Sequence, residues 1–108
     1  MFRFALLATL TLGCSDPYGE AQKADTIQAW EAFIEANPRS PRLGMGQIRL
    51  EELYLEAART AKTLDAYDTY LTKFPKGKMV KAATDERREF LIEWARKTDT
   101  VDAWEKYL

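Results

Sequence analysis

The sequence predicts an all-α protein, a solenoid of αα-hairpins with two full 37-residue units and the start of a third. Two observations support this prediction. Threonine, alanine and aromatic residues recur at a constant spacing of 37 residues without a gap, and apolar residues within each unit recur three and four residues apart, as on one face of a helix. The recurring positions are Thr26, Thr63 and Thr100; Ala29, Ala66 and Ala103; Trp30, Tyr67 and Trp104; and Phe33, Tyr70 and Tyr107.

Residues 1–13 are typical of a secretory signal peptide. One positive charge is followed by an apolar run from Phe4 to Leu12, which is shorter than the roughly 20 residues that span a bilayer. The segment Leu10-Thr11-Leu12-Gly13-Cys14 resembles the lipobox of bacterial lipoproteins. In that family the signal is cleaved before the cysteine, which is then acylated. The resemblance therefore implies that Cys14 is the lipidation site and that the lipid bilayer is one partner.

Residues 14–24 are predicted to be a lipidated tether, because Pro17 and Gly19 interrupt the segment and it carries no helical apolar stripe. The lipoprotein resemblance implies a location in the bacterial cell envelope, facing the periplasm. Ser15 after the cysteine favours the outer membrane over the inner, by the sorting pattern of enterobacterial lipoproteins. Two alternatives remain open: an ordinary secretory signal, and a buried N-terminal helix with an incidental cysteine.

Helical repeat 1 is assigned to residues 25–61 and helical repeat 2 to residues 62–98. The first helix of each repeat is expected to begin after a threonine N-cap, whose hydroxyl accepts a hydrogen bond from an unpaired backbone N–H. Pro38 and Pro75 are expected to end these helices, because the residue before a proline avoids the helical region. Residues 99–108 correspond to a first helix alone, and are either a capping helix or the partial third repeat of a truncated array.

The second helices are predicted to be longer, about 20 residues or roughly 30 Å. In repeat 1 the helix is expected to open with Ser40 as the N-cap and Pro41 as the first helical residue, and Gly77 takes the place of Ser40 in repeat 2. The apolar stripes are Leu50, Leu53, Tyr54, Ala57, Ala58 and Ala61 in repeat 1, and Ala83, Phe90, Leu91, Trp94 and Ala95 in repeat 2.

The segments Trp30-Glu31-Ala32-Phe33-Ile34 before Pro38 and Tyr67-Asp68-Thr69-Tyr70-Leu71 before Pro75 carry a family resemblance. Together with the alanine-rich second helices, they resemble the tetratricopeptide-like repeats of bacterial envelope lipoproteins that act in outer-membrane assembly and in coordinating cell division. The resemblance covers residues 25–108. It implies a tetratricopeptide-like solenoid that serves as a protein-binding scaffold.

Two sets of polar residues on the first helices are candidate partner-binding positions. In tetratricopeptide-like arrays the first helices line the concave groove, so the resemblance implies that their non-core positions face the ligand. An acidic surface of this kind favours a basic protein or peptide. The alternative is that acidic residues simply suit the first turns of helices, where the helix dipole stabilises them. The two sets are Glu31, Asp68 and Glu105, and Gln28, Asp65 and Asp102.

The composition argues against several other functions. Sixteen Lys and Arg residues against 17 Asp and Glu residues give a net charge of −1, which does not suit a nucleic-acid partner. The chain has no histidine and one cysteine, so Ser-His-Asp and Cys-His catalysis, histidine-ligated metals and an intrachain disulfide are excluded. The carboxylate pairs Glu52/Glu56 and Glu89/Glu93 lack the histidines of carboxylate-bridged metal sites. We expect no catalytic residue, cofactor or metal.

These observations predict a membrane-anchored, non-catalytic interaction scaffold of the bacterial envelope. Two alternatives remain open at the level of sequence. One is the regulatory or binding head of a longer envelope protein of which this chain is a truncated part. The other is a soluble cytosolic helical adaptor whose N-terminus is not cleaved.

Overall fold

The computed structural model describes residues 16–108, and every regular element in that range is an α-helix. The predicted all-α fold is therefore confirmed. Within the same range, no helix combines the length and the apolar character needed to cross a membrane. The predicted signal peptide and Cys14 lie outside the described residues. The helices are α1 (Pro17–Ala24), α2 (Ile27–Ala36), α3 (Leu43–Ala61), α4 (Leu64–Lys73), α5 (Val80–Thr98) and α6 (Val101–Tyr107).

The predicted threonine caps are present at the start of α2, α4 and α6. Each threonine hydroxyl oxygen accepts a hydrogen bond from the backbone N–H three residues later, at 3.0, 3.2 and 3.1 Å. The first helices also end as predicted, at Ala36 and Lys73, shortly before Pro38 and Pro75. The capping threonines are Thr26, Thr63 and Thr100.

A left-handed residue precedes each of these threonines. Asp25, Lys62 and Asp99 have φ angles of 49°, 55° and 50°, and they are the non-glycine residues with positive φ in the described part of the chain. They are spaced by 37 residues, like the caps. A backbone conformation that side chains disfavour therefore recurs with the sequence period. We call each left-handed residue and its threonine a repeat junction.

The chain divides into two compact units, Met1–Leu50 and Glu51–Leu108, and the division falls within α3. In the described part of the first unit, Trp30 and Phe33 of α2 are 1% and 4% exposed. Their rings meet edge to face, with centroids 5.9 Å apart, and Tyr18 of α1 packs edge-on against both, at 5.3 and 5.7 Å. Gly46 of α3 completes this cluster: a Cβ there would lie 3.1 Å from the Phe33 ring and 3.3 Å from the Trp30 ring. A larger residue at this position would require the two rings to shift by a few tenths of an ångström.

The second unit has its own apolar core. Tyr70 of α4 is fully buried, and the ring of Phe74 lies 5.3 Å from its ring. The edge of this core is formed by half-buried side chains that include Tyr54 and Leu71. The buried members of the core are Leu55, Ala58, Tyr67, Tyr70 and Ala83.

Helix α1 occupies most of the segment predicted to be a tether without helical structure, and that part of the prediction is wrong. Asp16 caps the helix through its carboxylate and Pro17 takes the first helical position, which suits a residue without an N–H. Ala21 of α1 is buried, as are Ala58 and Ala95 at spacings of 37 residues. Helix α1 therefore matches the last turns of α3 and α5. The internal repeat begins before residue 25, where the sequence had predicted its start.

Two details of α3 also differ from the predictions. The helix begins at Leu43 rather than at Pro41, and the Ser40 hydroxyl accepts a hydrogen bond from the N–H of Arg42 at 3.1 Å within the preceding turn. The buried stripe is rotated by about one residue: Leu55 is fully buried, whereas Ala57 and Ala61 are exposed. Alanine residues lie on both the buried and the exposed side of this helix, so their positions in the sequence do not indicate which face is buried.

Candidate functional site

The first junction is a hub of charged hydrogen bonds. The Asp25 carboxylate accepts two bonds from Arg49 of α3, from Nε at 2.9 Å and from the terminal nitrogen at 2.8 Å. It also accepts a bond from the indole Nε1 of Trp30 at 2.9 Å. The hydrogen bonds from Arg49 and then from Trp30 lower the pKa of Asp25 from 3.8 to about 2. One carboxylate thus fixes the start of α2 and attaches α3 to it.

Protonation of Asp25 is expected to weaken this junction in acid. A carboxyl whose pKa is lowered by folding stabilises the folded state above its unfolded pKa, and the contribution is lost as the pH falls through the folded pKa. Wild-type unfolding, followed by circular dichroism in urea, should become easier between pH 4 and pH 2, more steeply than unfolding of Asp25→Asn. Equal slopes for wild type and Asp25→Asn would contradict the role of Asp25.

At the second junction, the residues equivalent to Asp25 and Arg49 carry the opposite charges. Glu86 of α5 stands 37 residues after Arg49, and Lys62 stands 37 residues after Asp25. The Glu86 carboxylate accepts bonds from Arg59 at 2.8 and 2.6 Å, and from the hydroxyl of Tyr67 at 3.2 Å. The Arg59 bond lowers the pKa of Glu86, while burial raises the pKa of Tyr67. The position on the second helix that supplies a cation in one repeat therefore supplies a carboxylate in the next.

The third junction matches the first. The Asp99 carboxylate accepts a bond from the indole Nε1 of Trp104 at 3.3 Å, as Asp25 does from Trp30. The rings of Trp104 and Tyr107 then meet edge to face at 6.4 Å. Trp104 is the only side chain of residues 16–108 that hydrogen-bonds to the Asp99 carboxylate.

A buried carboxylate anchors the loop between α4 and α5. Glu51 of α3 is 6% exposed, and it accepts hydrogen bonds from the Tyr70 hydroxyl and from the backbone N–H of Met79, the latter at 3.0 Å. Burial and then the bond to Glu51 raise the pKa of Tyr70. Gly77 passes so close to the Glu51 carboxylate that a Cβ would collide with it. Met79 is the N-cap of α5 and has no side-chain cap bond of its own, so Glu51 orders this helix start.

The candidate partner-binding residues lie at the surface of both units. Gln28 is exposed and Glu31 half-buried in the first unit. In the second unit Asp65, Asp102 and Glu105 are exposed, and Asp68 is half-buried. Each set is divided between the two units, so the predicted alignment of its members stays a prediction.

Within the second unit the structure brings Asp65 and Asp68 together. Both line an open depression beside α4, whose other lining residues include Lys73. Asp68 accepts a hydrogen bond from Nε of Arg87 at 2.7 Å, and this pair also lines a second cavity of about 260 Å³. The depression therefore combines acidic and basic side chains, whereas the sequence had suggested an acidic column alone.

Three carboxylates that each accept two or more hydrogen bonds were not predicted from the sequence: Asp25, Glu51 and Glu86. For Asp25 a signal was present, since Asp25 and Trp30 recur as Asp99 and Trp104 with the same five-residue spacing. For Glu51 and Glu86 no repeated residue type marks the position.

Residues 16–108 contain no cluster of three acidic or cysteine side chains that could hold a metal ion. No protein-family model matches the chain, and neither a curated protein nor a solved structure shows significant similarity to it.

Proposed function

We propose that this protein is a non-catalytic interaction scaffold, held at the membrane of the bacterial envelope through acylated Cys14 and facing the periplasm. One observation carries the proposal: the left-handed residue and threonine cap recur at 25–26, 62–63 and 99–100 with nearly the same geometry. Proteins that repeat one helical joint at a fixed period stack their repeats and present an extended binding surface. We propose a tetratricopeptide-like solenoid on this basis.

The anchor part of the proposal depends on the sequence before the described residues. Cys14 is the one cysteine of the chain and is separated from the apolar run by Gly13 alone. Stable attachment to a bilayer takes two or more acyl chains, which is what lipoprotein processing adds at such a cysteine. Since α1 begins at Pro17, two residues separate Cys14 from the first residue of the helix. The helical part would therefore lie close to the lipid surface.

The partner is proposed to be a basic protein or peptide. Asp65, Asp102 and Glu105 are exposed side chains, and acidic groups at a surface speed the approach of a basic segment at low salt. Asp68 forms an ion pair with Arg87. A basic ligand that binds Asp68 would therefore have to share this carboxylate with Arg87 or displace Arg87 from it.

One experiment tests both parts in the native host, with the full chain carrying a C-terminal tag. It compares wild type, Cys14→Ser, the triple variant Glu31→Gln/Asp68→Asn/Glu105→Gln and a matched triple variant Glu35→Gln/Glu89→Gln/Glu93→Gln. The last changes the same charge at exposed positions outside the candidate sets. The readouts are incorporation of a palmitate analogue, sedimentation with membranes, and proteins recovered after cross-linking at low and moderate salt.

We expect wild type to be labelled and to sediment with membranes, and Cys14→Ser to lose both properties. The first triple variant should stay at the membrane but recover about tenfold less partner at low salt, while the matched triple variant recovers as much as wild type. Unchanged labelling of Cys14→Ser would overturn the anchor. The same partners with the same salt dependence in both triple variants would overturn the acidic surface, and no cross-linked protein at all would overturn the scaffold.

A further inference from the structure

The connection between α4 and α5 is strongly basic. We call residues 73–81, which comprise this connection and the adjoining helix ends, the lysine segment. No acidic residue occurs anywhere in the stretch 69–84. The chain as a whole has a net charge of −1, so the positive charge here is local and is balanced by acidic residues elsewhere. The segment has four lysines, all of them exposed: Lys73, Lys76, Lys78 and Lys81.

The middle of the lysine segment is a hydrogen-bonded turn. The backbone N–H of Gly77 donates to the carbonyl of Phe74 at 3.0 Å, and the N–H of Val80 donates to the carbonyl of Gly77 at 3.4 Å. Beneath the turn, the Glu51 carboxylate accepts a bond from the N–H of Met79 at 3.0 Å. Glu51 is 6% exposed, so its charge lies below the surface while the lysine side chains lie on it. The positive charge is therefore held at a defined place.

The neighbouring groups leave this surface with an excess of positive charge. Lys81 pairs with Asp85 at 2.9 Å, yet the Lys81 side chain is still 88% exposed. Asp85 also pairs with Arg88 at 3.2 Å, so this carboxylate is shared between two cations. The Lys73 ammonium lies 5.4 Å from the centre of the Tyr54 ring, an arrangement that keeps its charge. The two lysines of the turn itself add to this excess.

The equivalent connection in the first unit is basic as well. No acidic residue occurs in the stretch 36–50, and Arg39 stands 37 residues before Lys76. Both Arg39 and Arg42 are exposed. Positive charge without acidic residues thus recurs between the two helices of each repeat, although the residue types differ. A recurring charge without a recurring ion pair favours a role for the charge itself.

Charge changes sign along α4. Asp65 lies in the first turn of this helix and Lys73 is its last residue. The 10 residues of α4 correspond to a length of about 15 Å. The acidic candidate residue at the start of α4 and the lysine segment after its end are therefore separate surfaces, which can bind two different partners.

We propose that the lysine segment binds the anionic headgroups of a lipid bilayer. Lysine ammonium groups are attracted to a bilayer that contains anionic lipids, and salt screens the attraction within about one Debye length. A lysine is a compact charge that requires no particular orientation of the phosphate, unlike the paired bonds of arginine. A bilayer offers many phosphates in one plane, so separate ammonium groups on a turn can all find one. An acidic peptide would have to match their spacing.

This inference rests on the proposed function, which places the chain at a membrane through Cys14. It adds the surface of the second unit that contacts the headgroups. Because the acidic start of α4 is not part of that surface, Asp65 remains available to a basic partner while the lysine segment is bound.

The test uses the full chain purified from the native host and added to preformed vesicles. One set of vesicles is phosphatidylcholine alone, and the other is equal parts of phosphatidylcholine and phosphatidylglycerol. A water-soluble reagent modifies exposed amines, and mass spectrometry measures the rate of modification at each lysine. Lys62 and Lys97 are exposed and lie outside the segment, so they are internal controls.

We expect the reagent to modify Lys76 and Lys78 about fivefold more slowly on the anionic vesicles than on the neutral ones, and high salt to remove the difference. Lys62 and Lys97 should react at the same rate on both. In the variant Lys76→Gln/Lys78→Gln, Lys81 should lose most of its protection. The matched variant Lys62→Gln/Lys97→Gln should keep it, with folding of both variants checked by circular dichroism.

Equal rates at Lys76 and Lys78 on the two kinds of vesicle would overturn the proposal, and so would equal protection of Lys81 in the two double variants. Polyglutamate without vesicles is a further arm. If it slows modification of the lysine segment more than vesicles of the same total charge, the occupant is an acidic protein and the proposal is wrong. The palmitate label at Cys14 and the cross-linked partners are measured separately, so failure of the bilayer contact is distinguishable from failure of the scaffold.

Discussion

Tyr70→Ala is expected to lower the free energy of unfolding by about 3–5 kcal/mol, the range for large aromatic side chains removed from cores. Tyr70 is fully buried among Leu55, Ala58 and Ala83, so its removal leaves a cavity that rigid helix packing cannot close. It also removes the hydroxyl donor from the buried Glu51 carboxylate. Since small domains have about 5–15 kcal/mol in total, this loss is a large fraction of the stability of the fold.

The chain provides a matched control for this change. Tyr107 is the same residue type, 37 positions later, and is half-buried on α6. Tyr107→Ala should lower the free energy of unfolding by about 1 kcal/mol, because the half-buried ring of Tyr107 has less contact with other side chains to lose. Urea denaturation followed by circular dichroism measures both. Equal losses in the two variants would show that Tyr70 is not the centre of the second core.

The sequence predicted those features that depend on neighbours along the chain. Each threonine cap needs only the backbone N–H three residues ahead, so Thr26, Thr63 and Thr100 could be assigned from spacing alone. Pro38 and Pro75 end helices for an equally local reason. The buried aromatic residues of α2 and α4 followed from their helical spacing, which is a property of one helix face.

Features that depend on distant contacts were not predictable in the same way. Arg49 lies 24 residues from Asp25, and Glu51 lies 28 residues from Met79. At the position where repeat 1 has Arg49, repeat 2 has Glu86, which pairs with Arg59, so no shared residue type marks the position. Helix α1 was missed because its mean hydropathy is low and its burial rests largely on Tyr18 and Ala21. For the candidate partner-binding residues, spacing predicted which positions are polar but not that Asp68 is paired with Arg87.

The loop between α4 and α5 should depend on Glu51 more than on any exposed carboxylate. Glu51→Ala leaves the Tyr70 hydroxyl and the Met79 N–H without their acceptor, and each buried polar group that loses its partner costs about 1–3 kcal/mol. We expect a loss of about 2–4 kcal/mol in the free energy of unfolding. Glu89→Ala, at an exposed position of α5, is the matched control and should stay within about 0.5 kcal/mol of wild type.

A double-mutant cycle separates the loss of the hydrogen bond from the loss of packing. Tyr70→Phe keeps the ring and removes only the hydroxyl, so Glu51→Ala made in that background should cost less than in wild type, by about 1–3 kcal/mol. The loss in free energy of unfolding that Glu51→Ala still causes in the Tyr70→Phe background measures the bond to Met79 and the order of the helix start. This helix start has no side-chain cap of its own. If Glu51→Ala is as mild as Glu89→Ala, or if its cost is the same with and without the Tyr70 hydroxyl, the Glu51 carboxylate does not hold this loop.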